Sequence, residues 1–319
     1  MKSLDLNTIS YLNQSLNSQS KEPDYSKDEL DLFNNSIQEN LNINEDEEIL
    51  SALEDLSQID QEQNIDEENA KDGIIDPTSQ GSQGDCWLLS SINALSYCRL
   101  GQNIIKNALE YHDGYTTVHL AVGDYEISDE EFQEKQNSRW FSSGDEDMTI
   151  IECAVEHALD DYADGKYEVP KDMKWWFKAT QKTGERENKS STYGGFPITL
   201  FYLLTGKIGK YTKKEEAIKG ILSNFEQNQG QSAMIVGVIK GAQTKAELSP
   251  YKNQEGYYNV RDIEGKLHKI TENHTCTIKN VGDYTVTFTN PWRSGEDVTI
   301  SRSDFMDLFD DFYYLDLED

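Results

Sequence analysis

The sequence has no apolar run long enough to cross a membrane, and residues 1–20 have no apolar core like that of a signal peptide. Hydrophobic residues make up only 36% of the 319 residues, and the mean hydropathy is -0.73. We therefore expect a soluble protein, part of which does not fold on its own. It is either intracellular or exported as an effector without a general-secretion signal.

Positively charged residues are also scarce. The chain has 29 Lys and Arg against 59 Asp and Glu, which gives a net charge of -30. This charge opposes electrostatic binding to nucleic acid or to an anionic membrane surface. The composition therefore predicts no nucleic-acid partner and no membrane span.

The chain has only four cysteines, Cys86, Cys98, Cys153 and Cys276. Their spacing matches no zinc site, and four in a chain of this length are too few for a disulfide scaffold. Most free cysteines are small buried hydrophobic residues. A reactive cysteine must therefore be identified from its surroundings in the sequence.

Half of the net charge lies in residues 1–70, which have 18 Asp and Glu against three Lys, with no Trp and no Gly. Apolar residues at three- and four-residue spacing predict helices over 30–41 and 49–56. Such helices need a partner surface to be stable. Three interpretations stay open: a disordered acidic tail, a secretion address, or a segment that docks on the rest of the chain and inhibits it.

The second predicted domain, residues 71–319, changes its hydrophobic period near residue 207. Helical spacing of apolar residues predicts helices over 86–98, 148–162 and 197–204. Apolar or alternating runs predict strands over 233–239, 284–289 and 312–317. We therefore expect an α+β fold in which a helix-rich lobe (71–207) precedes a β-rich lobe (208–319).

Cys86 stands where a helix begins, directly after a loop rich in Gly, Ser and Gln. A thiol attacks only as the thiolate, and a helix N-terminus stabilises that anion. Asp85 is the predicted N-cap and would accept amide hydrogen bonds in the first turn. Gln80, on the same loop, is a candidate donor to an oxyanion.

A nucleophilic thiol needs a base, and the base needs a group that orients it. His274 begins a segment that turns at residues 282–283 and returns as the strand 284–289, which ends at Asn290. The pattern predicts a hairpin that brings His274 and Asn290 together. A neutral Asn fixes the imidazole without neutralising a thiolate–imidazolium pair, and Trp292 would shield their hydrogen bond from water.

The segment 80–92 (QGSQGDCWLLSSI) resembles the catalytic-cysteine motif of the calpain family. Residues 290–292 (NPW) are similar to the asparagine motif of that family. The segments 194–206 and 303–317 resemble its middle and C-terminal motifs. The resemblance covers about residues 72–319 and is to the catalytic core alone, as in a minimal microbial member.

The resemblance implies that residues 71–319 form a papain-like, calpain-like catalytic domain of two lobes, with the active-site cleft between them. It also implies that this domain acts as a cysteine endopeptidase on protein substrates. Two groups of site residues follow from it. The catalytic group contains Cys86 as nucleophile, His274 as base and then acid, Asn290 as orienter and Gln80 as oxyanion donor. The substrate-binding group contains Gly194, Gly195 and Trp292.

The chemistry requires no cofactor, but the resemblance suggests calcium. Glu152 and Glu296 stand where the family has calcium ligands, whereas Pro77 occupies the position of an expected Asp ligand. A solvated acidic surface is the alternative interpretation of these carboxylates. The sequence also departs from the family pattern at Asn273 and Arg293, where glycine is typical; both changes bear on substrate fit.

Two other classes of function stay open. A papain-fold acyl transferase or deamidase would use the same nucleophile, although such enzymes usually pair His with Asp rather than with Asn. A non-catalytic binding module on a protease fold is the other alternative. The presence of Cys86, His274, Asn290 and Gln80 together argues against loss of catalysis.

Overall fold

The structure, a computed structural model, describes residues 71–138, 140–187, 190–227, 233–239, 257–271 and 273–317. The segment 1–70, with its two predicted helices and its predicted inhibitory role, lies outside these residues. The described residues form a mixture of helices and sheets, as expected for the α+β class. No helix in the described ranges is both long enough and apolar enough to cross a membrane.

Eight α-helices lie in the described part of the chain, and the three predicted from apolar spacing are α1, α4 and α6. Their bounds are α1 (Cys86–Ser96), α2 (Arg99–Ala108), α3 (Asp129–Asn137), α4 (Glu146–Ala163), α5 (Lys171–Glu187), α6 (Pro197–Thr205), α7 (Glu215–Gln227) and α8 (Arg302–Leu308). Helix α6 begins with proline and ends at Gly206, whose φ of 68° gives the left-handed C-cap that glycine tolerates.

The described strands form three sheets, all antiparallel where they pair. The strands are β1 (Leu109–His112), β2 (Tyr115–Leu120), β3 (Gly123–Ser128), β4 (Lys210–Thr212), β5 (Ala233–Ile239), β6 (Tyr257–Arg261), β7 (Leu267–Thr271), β8 (Thr275–Val281), β9 (Thr285–Thr289), β10 (Asp297–Ser301) and β11 (Phe309–Asp316). The sheets have the orders β1-β2-β3, β10-β9-β8-β5-β11-β4 and β6-β7. The three strands predicted from the sequence correspond to β5, β9 and β11.

The first sheet lies in the part of the chain that we predicted to be helical. Strands β1 and β2 are joined at Asp113 and Gly114, and Gly114 has a φ of 88°. Asp-Gly between two strand-like segments is a strong hairpin signal. The prediction of a helix-rich lobe over 71–207 is therefore incomplete, because it omitted the β1-β2-β3 sheet that the Asp113-Gly114 dipeptide indicates.

Helix α1, which carries Cys86, is buried on all sides. Every residue from Trp87 to Ser96 is buried, and Trp87, Leu88 and Leu95 have at most 1% of their surface exposed. Four of these ten residues are polar, so the helix is buried on every face without being uniformly apolar. Its side chains join a hydrophobic cluster that also contains α4 and α6 residues and the far end of β11. A second cluster lies between the large sheet and helices α7 and α8.

Ser90 ties helix α1 to strand β8 by two hydrogen bonds. Its hydroxyl donates to the carbonyl oxygen of Thr275 (2.8 Å), and its own carbonyl oxygen accepts from the Thr277 hydroxyl (2.6 Å). All three residues are buried, so water cannot replace either bond. The helix that begins with Cys86 is therefore held in register with the strand that follows His274.

Candidate active site

The β8–β9 hairpin brings His274 and Asn290 together, as the sequence predicted. His274 directly precedes β8 and Asn290 directly follows β9, and the two strands pair antiparallel around a turn in which the Gly282 amide donates to the Thr285 carbonyl (2.9 Å). Asn273 has a φ of 54°, in the left-handed region. Asn tolerates that region better than most residues, so it can hold the backbone turn before the histidine.

One hydrogen bond fixes the orientation and the tautomer of His274. Its Nε2 atom lies 2.8 Å from Oδ1 of Asn290, and the same oxygen accepts the Trp292 backbone N–H at 3.0 Å. The second bond requires the Asn290 oxygen, not its amide nitrogen, at this position. Because an oxygen only accepts, Nε2 carries the proton and Nδ1 of the neutral ring is left as a base.

The Trp292 ring covers this pair. Its centroid lies 4.7 Å from that of the His274 ring, with the planes tilted by 42°, and His274 is only 3% exposed. Covering a hydrogen bond with an apolar ring lowers the local dielectric and strengthens the bond. Trp292 also lines the cleft described below, so it takes part both in the histidine site and in the surface open to a ligand.

Cys86 is half-buried at the first position of α1 and lies within hydrogen-bonding reach of His274 and Thr275. Burial by itself raises the pKa of the Cys86 thiol. The charge and hydrogen bond of His274, with further hydrogen bonds from Thr275, outweigh burial and lower that pKa below its usual value. The site therefore favours the thiolate form of Cys86. Thr275 was not predicted, because nothing in the sequence marks it as close to Cys86.

The Cys86 sulfur lies in a cleft of about 860 Å³. Gln80, Gly194, Gly195, His274 and Trp292 line the same cleft, so the structure gathers the predicted catalytic and substrate-binding residues around one opening; Asn290 lies behind them, bonded to His274. The Gln80 backbone is held by a hydrogen bond to the Pro291 carbonyl (2.9 Å). Its side-chain oxygen is buried and has no hydrogen-bond partner among the described residues. Gln80 is thus a polar residue of the cleft wall whose side-chain oxygen is enclosed.

The two predicted substrate-binding glycines have distinct structural roles. Gly194 has a φ of 72°, and its amide donates to the Gly84 carbonyl (2.8 Å), which anchors it to the loop that precedes Cys86. A Cβ atom on Gly195 would lie 2.3 Å from the ring of Trp87. Gly195 is therefore needed for packing against α1, and this packing leaves its backbone beside the cleft.

Asp85 is the N-cap of α1 only through its backbone. Its carbonyl accepts the Leu88 and Leu89 amides at 2.8 and 3.2 Å, but its side chain makes no cap hydrogen bond, so the predicted side-chain cap is wrong. The carboxyl group is instead buried against Glu152. Burial, then the charge of Glu152, raises the pKa of Asp85, and burial raises that of Glu152. Both shifts favour the protonated form, and a proton held between the two carboxyls can pair one oxygen of each.

The two predicted calcium ligands, Glu152 and Glu296, lie in different environments. Glu152 is fully buried, and its Oε2 accepts from the backbone amide (3.0 Å) and the hydroxyl of Ser142. Glu296 is partly exposed and lies 3.6 Å from Arg293 and 3.7 Å from Lys266. Among the described residues, no three His, Cys, Asp or Glu side chains are grouped to hold a metal. Calcium binding stays a prediction, and no step below depends on it.

We expect alkylation by iodoacetamide to select Cys86 and to proceed at unusually low pH. The pKa of Cys86 is lowered, whereas burial raises the pKa of Cys98, Cys153 and Cys276. The rate constant for Cys86 should therefore reach half of its maximum below about pH 8.5, the value for a free cysteine. Peptide mapping by mass spectrometry measures each thiol. If the alkylation rate of Cys86 had its inflection at or above pH 8.5, or if the four thiols were labelled equally, Cys86 would not be the activated thiol.

Comparisons with known proteins give no relative from which the activity can be transferred. No protein-family model matches the chain, and no curated protein matches it.

Proposed function

We propose that the chain is a calpain-like cysteine endopeptidase in which Cys86, His274 and Asn290 form the catalytic triad. The observation that carries the proposal is the 2.8 Å contact between His274 Nε2 and Asn290 Oδ1, in an amide orientation fixed by the Trp292 N–H. It leaves the basic nitrogen of the ring for the thiol, whose pKa is lowered by that same histidine.

Acylation uses these groups in order. The Cys86 thiolate attacks the carbonyl carbon of the scissile amide, and the C=O pair of electrons moves onto oxygen. We assign stabilisation of this oxyanion to the first backbone amides of α1 and the Gln80 side chain, because α1 begins at Cys86 and Gln80 lines the same cleft. The imidazolium of His274 then gives its proton to the amine nitrogen, which leaves as the C–N bond breaks.

Deacylation runs the proton transfer in the opposite direction. Neutral His274 accepts a proton from a water molecule, whose oxygen attacks the thioester carbon. Collapse of the second tetrahedral intermediate releases a carboxylic acid and regenerates the Cys86 thiolate beside the imidazolium. Asn290 holds the ring through both steps by the same Nε2 hydrogen bond.

The cleft suits an extended polypeptide. It is open, about 860 Å³ in volume, and Gly194, Gly195 and Trp292 are among the residues that line it. A peptide backbone can approach glycines closely because they have no side chain. Protein substrates are therefore proposed rather than a small enclosed ligand.

Hydrolysis of casein and of a fluorogenic dipeptide, by the wild type and by Cys86→Ala, tests the proposal. We expect cleavage by the wild type and none by Cys86→Ala, with Cys153→Ala as a control that changes a buried cysteine outside the cleft. Parallel reactions with calcium or a chelator test the calcium prediction. Mass spectrometry of the treated casein distinguishes cleavage from deamidation or crosslinking. Activity that survives in Cys86→Ala, or product that is deamidated and uncut, would refute the proposal.

A further inference from the structure

A second cavity, of about 660 Å³, adjoins the histidine site on the far side of Trp292. Its walls come from β7 with the residue before it, and from the segment that joins β9 to β10. Trp292 lines both this cavity and the catalytic cleft, and Asn290 lines the second cavity behind it. The two openings are therefore neighbours that share one aromatic wall.

The second cavity differs from the catalytic cleft in charge. Lys266, Lys269 and Arg293 line it, with Glu296 as its one carboxylate among the described lining residues. The described lining of the catalytic cleft has no Lys or Arg. The chain as a whole has a net charge of -30, so a cavity lined by three cations is a local exception to its acidic composition.

These cations are accessible to a ligand. The Lys266 side chain is 58% exposed and that of Arg293 is 74% exposed. Glu296 lies 3.7 Å from one and 3.6 Å from the other, farther than the distances typical of hydrogen-bonded ion pairs. One carboxylate at these distances leaves both cations able to bind a further anion.

The turn that presents Lys266 is held by its own hydrogen bonds. The Asp262 carboxylate accepts the backbone amides of Glu264 (3.0 Å) and Lys266 (2.8 Å), and its other oxygen lies 2.7 Å from His268 Nε2. Gly265 takes a φ of 86° in this turn. Because the backbone is fixed, binding a ligand at Lys266 costs little ordering of the loop.

Arg293 is a further cation of the second cavity. It follows Trp292 directly in the chain, and it lines the second cavity but not the catalytic cleft. A ligand that extends from the cleft past Trp292 can therefore reach the guanidinium.

We propose that this cavity binds acidic side chains of the polypeptide substrate, on the flank of the scissile bond that crosses Trp292. This inference rests on the proposed function. An extended chain advances about 3.3–3.6 Å per residue, so a few residues beyond the scissile bond span the shared wall. Lys266 and Arg293 then pair with Asp or Glu side chains and favour substrates with acidic residues on that flank.

Binding by the full-length Cys86→Ala variant tests the cavity without requiring catalysis. The probes are a fluorescein-labelled glutamate-rich peptide and a glutamine-rich peptide of the same length, measured by fluorescence anisotropy. We expect the glutamate-rich peptide to bind about tenfold more tightly, and the added substitutions Lys266→Glu and Arg293→Glu to abolish that difference. The matched control adds Lys171→Glu and Lys178→Glu, exposed α5 residues that line neither cavity, and should keep it.

Sequencing the casein cleavage sites provides the second readout. Sites cut by the wild type should carry Asp or Glu on one flank more often than sites cut by the Lys266→Glu, Arg293→Glu variant with Cys86 intact. Equal binding of the two peptides, or preferences unchanged by the charge reversals, would overturn the inference. Preferential binding of the glutamate-rich peptide with no cleavage by the wild type would instead overturn the proposed function and leave the acidic-peptide cavity in place.

Discussion

Replacement of His274 by alanine is expected to lower kcat/KM for peptide hydrolysis by at least about 10³-fold. The substitution removes the base for attack and the acid for departure of the amine. It also removes the charge and the hydrogen bond that lower the pKa of Cys86, while the burial that raises this pKa stays. We therefore expect the alkylation rate of Cys86 to reach half of its maximum at a higher pH than in the wild type.

The two readouts separate a catalytic role from a structural one. His119→Ala is the matched control, because this histidine lies on β2, bonded to Asp124 and Glu110 and outside the cleft. It should leave both kcat/KM and the alkylation profile unchanged. If His274→Ala lost activity through misfolding, its circular dichroism would change as well. An unchanged alkylation profile in a folded His274→Ala protein would show that this histidine does not activate the thiol.

Replacement of Trp87 by alanine is expected to cost about 3–5 kcal/mol in the free energy of unfolding. The side chain is 1% exposed, packs against the Gly195 backbone, and donates its Nε1 hydrogen to the Thr192 carbonyl at 2.8 Å. The variant leaves a cavity and an unpaired buried carbonyl. Urea unfolding followed by circular dichroism measures the loss, and kcat/KM should fall because Gly195 lines the cleft.

Two variants calibrate this result. Trp175→Ala removes the same side chain from α5, where 61% of it is exposed, and should cost less than about 1 kcal/mol. Trp87→Phe keeps most of the ring volume but loses the hydrogen bond to Thr192, so its cost should lie between the other two. If Trp87→Ala and Trp175→Ala had equal effects, the packing of α1 against residues 192–195 would not be a determinant of stability.

The parts of the candidate site that are formed by short stretches of the chain were predictable from the sequence. Apolar spacing gave helix α1 beginning at Cys86, and a turn between two strand-like segments gave the hairpin that joins His274 to Asn290. In both cases the relevant distances along the chain are short. Local propensity and hydrogen-bond geometry then determine the arrangement.

Features that depend on distant parts of the chain were not predictable in this way. Asp85 has the sequence of a side-chain N-cap, but packing places its carboxyl against Glu152, a residue of another helix. The bonds of Ser90 to the strand after His274 are likewise invisible in the sequence. The grouping of Lys266 with Arg293 depends on the approach of two loops. Only tertiary packing brings these pairs together.

The two hydrogen bonds between Ser90 and strand β8 affect the stage of synthesis at which the Cys86 thiol becomes reactive. Cys86 leaves the ribosome 188 residues before His274, and β8 then pairs with β5, which in turn pairs with the last strand, β11. Until that sheet forms, Ser90 cannot make its hydrogen bonds to β8. On the proposed mechanism, a growing chain thus carries an inactive nucleophile until His274 has been synthesised and strands β8, β5 and β11 have paired.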